Sequence, residues 1–152
     1  MVYQIKGLDP ATFADTEALI ASGALRVRAT GKPGFPCRVT LDDAEPGEAL
    51  LLLNHVSHDV ATPFRSAFAI YVREGAAAAP EFIDTPPPFL NHRTLGLRGF
   101  DADGMLRQAS IAGPGEADPA IRGLLQHGEV AYIDIHNAGA GCFMARAERY
   151  DA

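Results

Sequence analysis

Long apolar runs are missing from this sequence. The longest, Ala49–Leu53 and Ala67–Val72, are far shorter than the roughly 20 residues that a membrane-spanning helix needs. Residues 1–6 also lack a basic segment followed by an apolar stretch, which is the pattern of an export signal. We therefore expect a cytoplasmic protein that does not enter a membrane.

Cysteine and lysine are scarce. The two cysteines, Cys37 and Cys142, form no CxxC pair, and in a reducing compartment we expect two free thiols rather than a disulfide. Of the 13 basic residues only Lys6 and Lys32 are lysines, and no basic block occurs. Non-specific nucleic-acid binding requires a positive surface, and the net charge here is −6. We therefore expect no nucleic-acid partner.

Signatures of metal and cofactor sites are also missing. The segment His55-Val56-Ser57-His58 holds the single close histidine pair, and no second pair completes a zinc signature. The sequence contains no G-x-S-x-G elbow, no phosphate-binding loop and no dinucleotide fingerprint. We therefore predict no cofactor and no bound metal.

What is present is typical of one globular domain. The 152 residues are 47% hydrophobic and 21% charged, which suffices for a single core, so we expect residues 1–152 to form one domain. Strand-like segments mostly follow one another, with one helix near the start and another near the end. This order favours an α+β fold with an antiparallel-rich mixed sheet of about seven to eight strands and two helices.

Capping residues and periodicity locate the two helices. The first runs from Asp9-Pro10 to Ser22, and Asp15 or Thr16 can divide it by capping a second short helix. The second, Asp118–His127, places its three large aliphatic residues on one face. Eight strands are predicted: Ala24–Ala29, Cys37–Leu41, Glu48–Val56, Ser66–Arg73, Thr94–Asp101, Met105–Ile111, Val130–Asn137 and Cys142–Tyr150.

The last two strands form a hairpin with one polar face. Along Val130–Asn137, alternation places Tyr132, Asp134 and His136 on one side and the intervening isoleucines on the core side. The simplest interpretation is that the polar residues are exposed to solvent on a one-sided sheet. The alternative is a functional site on this face.

The register of this hairpin decides between two arrangements of the thiol. If the turn pairs Asn137 with Gly141, then His136 stands opposite Cys142. Asp134 could then orient His136, which could activate the thiol as a nucleophile. A slip by one residue would instead bury Cys142 beside the isoleucines.

Four arginines, Arg38, Arg65, Arg93 and Arg98, fall at strand starts or inside strands. Each faces either solvent, a structural carboxylate or a pocket. If two converge, their guanidinium groups would suit a carboxylate or phosphate. With Cys37, which adjoins Arg38, three of them are our ligand-binding candidates: Arg38, Arg65 and Arg98.

Several short segments resemble a family of small bacterial proteins of unknown function, each about this chain's length. The matching segments lie between residues 35 and 149. They are Pro36-Cys37-Arg38, Gly47-Glu48 with Leu51-Leu52, Arg65-Ser66-Ala67, Leu97-Arg98 with Phe100-Asp101, Gly104-Met105, and His136-Asn137-Ala138 with Gly141-Cys142-Phe143. The resemblance implies a free-standing bacterial domain and assigns no activity, cofactor or catalytic residue.

These observations favour a domain that binds a small ligand or another protein. The candidate partners are a small anionic molecule and a second copy of the chain in a homodimer. The alternative is a small enzyme acting on an anionic metabolite, with Cys142, His136 and Asp134 as its catalytic candidates. A module that only dimerises is the third hypothesis.

Overall fold

Two β-sheets and two α-helices make up the computed structural model, which describes residues 2–151. The helices are α1 (Thr16–Ala21) and α2 (Ala117–Leu125), and two short 3₁₀ helices span Pro10–Phe13 and Pro88–Leu90. The strands are β1 (Tyr3–Lys6), β2 (Leu25–Arg28), β3 (Pro36–Cys37), β4 (Asp42–Asp43), β5 (Ala49–His58), β6 (Ser66–Arg73), β7 (Glu81–Ile83), β8 (Leu95–Phe100), β9 (Leu106–Ala112), β10 (Tyr132–Asn137) and β11 (Phe143–Arg149).

The strands divide between a six-stranded sheet, in the order β7-β1-β11-β10-β8-β9, and a five-stranded sheet, in the order β2-β5-β6-β3-β4. Within residues 2–151 all pairs are antiparallel except β3 with β6. The α+β class and the mostly antiparallel pairing were therefore predicted correctly. The prediction of one sheet with seven to eight strands was wrong, because the eleven strands of residues 2–151 form two sheets. The added strands β1, β4 and β7 have only two to four residues, too few to repeat a pattern.

Helix α2 covers one face of the six-stranded sheet. Ile121, Leu124 and Leu125 are buried, as predicted, in one cluster with Ile133 and Ile135 of β10. The stripe forms because residues three and four apart share a helix face. In the described part of the chain, no helix is both long and apolar enough to span a membrane.

The predicted N-terminal helix is divided into two pieces. Asp9 Oδ1 accepts a hydrogen bond from the Ala11 amide at 3.0 Å, which caps the 3₁₀ helix. Asp15 Oδ1 accepts from the Ala18 amide at 3.0 Å and caps α1. Two caps six residues apart start two separate helices, and Phe13 between them packs into the core of the five-stranded sheet.

A tight turn replaces most of the predicted strand Cys37–Leu41. Strand β3 ends at Cys37, and Leu41 then adopts a left-handed backbone with φ of 54°. The Leu41 amide donates to the Cys37 carbonyl at 3.0 Å. The predicted strand was therefore wrong beyond Cys37, and the chain reverses there into β4.

The two sheets are joined closely at the end of β1. A Cβ atom on Gly7 would lie 1.9 Å from the carbonyl oxygen of Val39, so only glycine fits there. The next amide, that of Leu8, donates to the Arg38 carbonyl at 3.0 Å. This contact holds the turn after β3 against the six-stranded sheet. Helix α2 covers one face of that sheet, and the other face meets the five-stranded sheet.

Candidate functional site

Polar and aromatic side chains, rather than aliphatic ones, fill the space where the sheets meet. His58, Asp134 and His136 are each no more than 3% exposed. The predicted division of β10 into a polar face and an isoleucine face is confirmed. The expectation that the polar face is open to solvent was wrong, because the five-stranded sheet covers it.

Of the two registers considered for the terminal hairpin, the one that brings His136 opposite Cys142 does not occur. His136 stands opposite Phe143, not Cys142, because the pairing shifts between Ile135 and His136. The extra residue, Met144, turns into the core beside the isoleucines. A β-bulge of this kind inserts one residue without breaking the hairpin, and alternation alone does not locate it.

His136 is held by the backbone of the turn. Its Nδ1 lies 2.9 Å from the Gly141 carbonyl oxygen, which can only accept, so Nδ1 carries a proton and donates. Burial lowers the pKa of His136, the hydrogen bond to Gly141 opposes this, and the positive charge of Arg98 lowers the pKa further. The ring is therefore neutral at pH 7.

Asp134 pairs with Arg146 and not with His136. Arg146 donates from Nε to Asp134 Oδ1 at 2.7 Å and from Nη2 to Oδ2 at 3.2 Å. The same Nη2 donates to the Ser57 carbonyl at 3.2 Å, which links β11 to β5. The guanidinium also lies 4.4 Å from the Tyr132 ring centre. This pair therefore supports the contact between the sheets.

His58 and Tyr132 form a second link, which the sequence pattern did not predict. His58 Nδ1 donates to the Phe64 carbonyl at 2.9 Å, so its Nε2 accepts from the Tyr132 hydroxyl at 2.6 Å. The His58 ring stacks on Phe100 with 4.0 Å between centroids. Burial raises the pKa of Tyr132, which keeps its hydroxyl protonated as this bond requires. In the sequence, the pair of His55 and His58 suggested only a metal site. The hydrogen-bond partner of His58, Tyr132, lies 74 residues further along the chain and was not associated with it.

A cavity of about 330 Å³ opens beside this aromatic layer. Two predicted candidates, Arg65 immediately before β6 and Arg98 in β8, both line it. The rest of the lining is mainly apolar and includes Pro63, Phe64, Phe100 and Leu106. A cationic end with apolar walls is an arrangement typical of small-molecule sites.

The two arginines of the cavity differ in their partners. Arg65 Nε lies 3.2 Å from Asp59 in an ion pair exposed at the surface. Arg98 is half-buried, and its guanidinium carbon lies 5.7 Å from the Phe68 ring centre. Among residues 2–151 no carboxylate pairs with Arg98. Asp134 stands opposite Arg98 on β10, but its carboxylate bonds Arg146, so Arg98 has no ion-pair partner of its own at the cavity.

Arg38 and Arg93 lie away from this cavity and have structural partners. Arg38 is 2% exposed and donates to the carbonyls of Phe143 and Pro36 at 2.7 and 2.6 Å. Burial lowers the pKa of Arg38 to about 10. Arg93 binds the buried Asp43 through two nitrogens at 3.0 and 2.5 Å. Arg65 and Arg98 are therefore the two of the four that line the cavity, while the positive charge of Arg93 acts on Arg38.

The cysteines are both free thiols, as expected. Cys37 is buried, and its sulfur accepts from the amides of Thr40 and Arg73 at 3.4 and 3.2 Å. Cys142 is half-buried in the turn before β11. In the described part of the chain, no three histidine, cysteine or carboxylate side chains are grouped so that they could hold a metal ion.

Comparison with known proteins identifies one match. The sequence model of a family described as "Protein of unknown function (DUF1203)" matches residues 34–149, which confirms the resemblance to an uncharacterised family. The matched segment contains every residue that lines the cavity. No curated protein and no solved structure matches the chain.

Proposed function

This chain belongs to the DUF1203 family of proteins of unknown function, and from that premise and the cavity's geometry we propose that it binds a small anionic molecule beside Arg65 and Arg98. The observation that carries the proposal is the half-buried guanidinium of Arg98, which has no carboxylate partner within residues 2–151. A desolvated charge is unfavourable unless an opposite charge compensates it. A bound anion would supply that charge.

The surroundings of Arg98 favour a preformed binding site for the anion over a transient contact at the surface. Strand β8 is paired on both sides, by β10 and β9, so the backbone that carries Arg98 is fixed before a ligand arrives. Preorganised groups lose less conformational entropy on binding. The cavity volume of about 330 Å³ lies within the range of small-ligand sites, roughly 300–1,000 Å³.

The proposal is tested by comparing the substitution Arg98→Met with the matched control Arg28→Met. Arg28 is an exposed strand arginine on the other sheet, and its guanidinium donates to the Gly47 carbonyl at 2.9 Å. A panel of small carboxylates and phosphates is screened by thermal shift at low salt, and each hit is measured by calorimetry. We expect Arg98→Met to lower the affinity at least tenfold, since a hydrogen bond to a charged group contributes about 1.5–3 kcal/mol.

The control decides how the result is interpreted. Arg28→Met should bind each hit as the wild type does. Equal affinities of the wild type and Arg98→Met for every hit would refute the proposal, and so would a panel without any hit.

Within residues 2–151, the contacts of His136 and Asp134 do not favour the thiol-enzyme hypothesis. It depended on a register that places His136 opposite Cys142, and the observed register places Phe143 there. It also required Asp134 to orient His136, whereas Asp134 pairs with Arg146. The small-ligand function is therefore the one that the geometry supports best.

A further inference from the structure

Of the two arginines that line the cavity, only Arg98 has no ion-pair partner among residues 2–151. The other arginines near it are each paired with an aspartate, and the His136 ring is neutral at pH 7 because burial lowers its pKa. The pairs are Arg65–Asp59, Arg107–Asp101 and Arg146–Asp134, with nitrogen–oxygen distances of 3.2, 2.8 and 2.7 Å. A single positive charge matches a ligand with a single negative charge better than a phosphate dianion.

An apolar strip continues from Arg98 along the open edge of the six-stranded sheet. Ala109 of β9 stands opposite Arg98, and Ile111 stands opposite Gly96. Paired residues share a face, so these side chains lie on the same side as the guanidinium. Ile111 is 76% exposed, the highest value among the large apolar side chains that the structure describes.

Gly96 leaves a notch in the middle of this strip. A Cβ atom built on Gly96 would meet no atom within 4 Å, so the space above it is open. Ile111 and His136 flank Gly96 on the neighbouring strands. The notch is therefore bounded by side chains on both sides and by backbone below.

We infer that the ligand is a monocarboxylate with an aliphatic chain, held by its carboxylate at Arg98 and by its chain over Gly96 against Ile111. The inference rests on the proposed anion site and adds the class of molecule. Carboxylate and guanidinium groups match in shape and charge, and an apolar chain would cover the exposed Ile111. The charge of Arg98 thus binds the carboxylate end of the ligand, and the apolar strip binds its aliphatic end.

The experiment is a chain-length series of straight-chain carboxylates, from acetate to decanoate below micelle-forming concentrations, measured by calorimetry. In the wild type we expect the affinity to rise about two- to fourfold per methylene, since full burial of one methylene corresponds to roughly fourfold. The substitution Gly96→Val should fill the notch and remove this rise, while acetate and propionate still bind.

Two further variants keep the test valid if Gly96→Val fails to fold. Ile111→Ser changes an exposed side chain and should reduce the gain per methylene. Its matched control is Leu25→Ser, because Leu25 is 61% exposed on an edge strand of the other sheet. The control should show the wild-type dependence on chain length.

The outcomes separate this inference from the proposed function. If short carboxylates bind through Arg98 but the affinity does not depend on chain length, the inference is wrong and the anion site stands. A chain-length dependence unaffected by both Gly96→Val and Ile111→Ser would also overturn it. If only phosphates bind, or if sedimentation shows a dimer that Ile111→Ser dissociates, the ligand class is wrong. If no anion binds, both proposals fail.

Discussion

Single ion pairs in this protein differ widely in burial, and their substitution should therefore have very different effects. Asp134 is 1% exposed and holds Arg146 through two hydrogen bonds. Asp59 holds Arg65 in an exposed pair. Removing one member of a buried pair leaves the other charge without its partner, whereas an exposed charge is screened by water.

We predict that Asp134→Ala lowers the free energy of unfolding by about 2–3 kcal/mol, at the low end for buried pairs because the Arg146 side chain is 36% exposed. Asp59→Ala should lower it by less than about 0.5 kcal/mol. Urea unfolding measures both. Equal losses in the two variants would contradict the structural role of Asp134.

The buried, neutral His136 predicts a loss of stability in mild acid. Burial lowers the pKa of His136 in the folded protein below its ordinary value of about 6.5, so the unfolded chain binds a proton more readily. The contribution of neutral His136 to the free energy of unfolding is therefore fully present above pH 6.5, and it falls as the pH drops below that value.

Between pH 7.5 and 5.5 we expect His136 to account for a loss of up to about 1.4 kcal/mol, the value of one pH unit for one group. His136→Gln should reduce this loss, and a remainder from His55, whose pKa burial also lowers, should persist. The control His127→Gln changes an exposed ring and should leave the pH dependence intact. An unchanged dependence in His136→Gln would show that the ring does not carry it.

The same variant tests the thiol hypothesis. We predict that the rate of Cys142 alkylation has the same pH profile in the wild type and in His136→Gln, because the His136 ring bonds Gly141 and faces Phe143. The measurement is iodoacetamide labelling followed by mass spectrometry of the Cys142 peptide. A profile displaced to higher pH in the variant would restore the cysteine–histidine pair as a catalytic candidate.

At the scale of whole elements, α2 provides the simplest test of the fold. Leu124 is 6% exposed in the cluster between α2 and the six-stranded sheet. We predict that Leu124→Ala lowers the free energy of unfolding by about 2–4 kcal/mol, through lost burial and the cavity left behind. Leu25→Ala, at a site 61% exposed, should cost under about 0.5 kcal/mol. A similarly small loss at Leu124 would show that the helix does not pack as described.

Long periodic elements could be predicted from the sequence and short ones could not. The strand Ser66–Arg73 and the buried stripe of α2 were predicted with correct residues, because each repeats its pattern over two or more periods. Strands β3 and β4 have two residues each, too few to repeat a pattern. The bulge opposite His136 could not be found either, since it places the consecutive residues Met144 and Ala145 in one core cluster, whereas alternation assigns them to opposite faces.

At the scale of the whole molecule, the candidate site exists only because two sheets meet. Arg65 directly precedes a strand of one sheet and Arg98 lies in a strand of the other, and the sequence alone could name both only as separate candidates. The burial of Asp134 and His136 has the same origin, since a one-sided sheet and a covered sheet have the same alternation. Tertiary contact, which a single sequence does not reveal, therefore decided most of the site.

The pairing of β1 with β11 has a consequence for the order of folding. Gln4 bonds Glu148 across a separation of 144 residues, whereas β5–β6, β8–β9 and β10–β11 are hairpins of near neighbours in the chain. Closing a long loop costs more entropy than closing a short one, so distant pairings slow folding. The three hairpins should form early, and the first strand should insert between β11 and β7 in the slowest step. Until then the edge of β11 stays unpaired, and it is the place where a nascent or stressed chain is most open to pairing with another molecule.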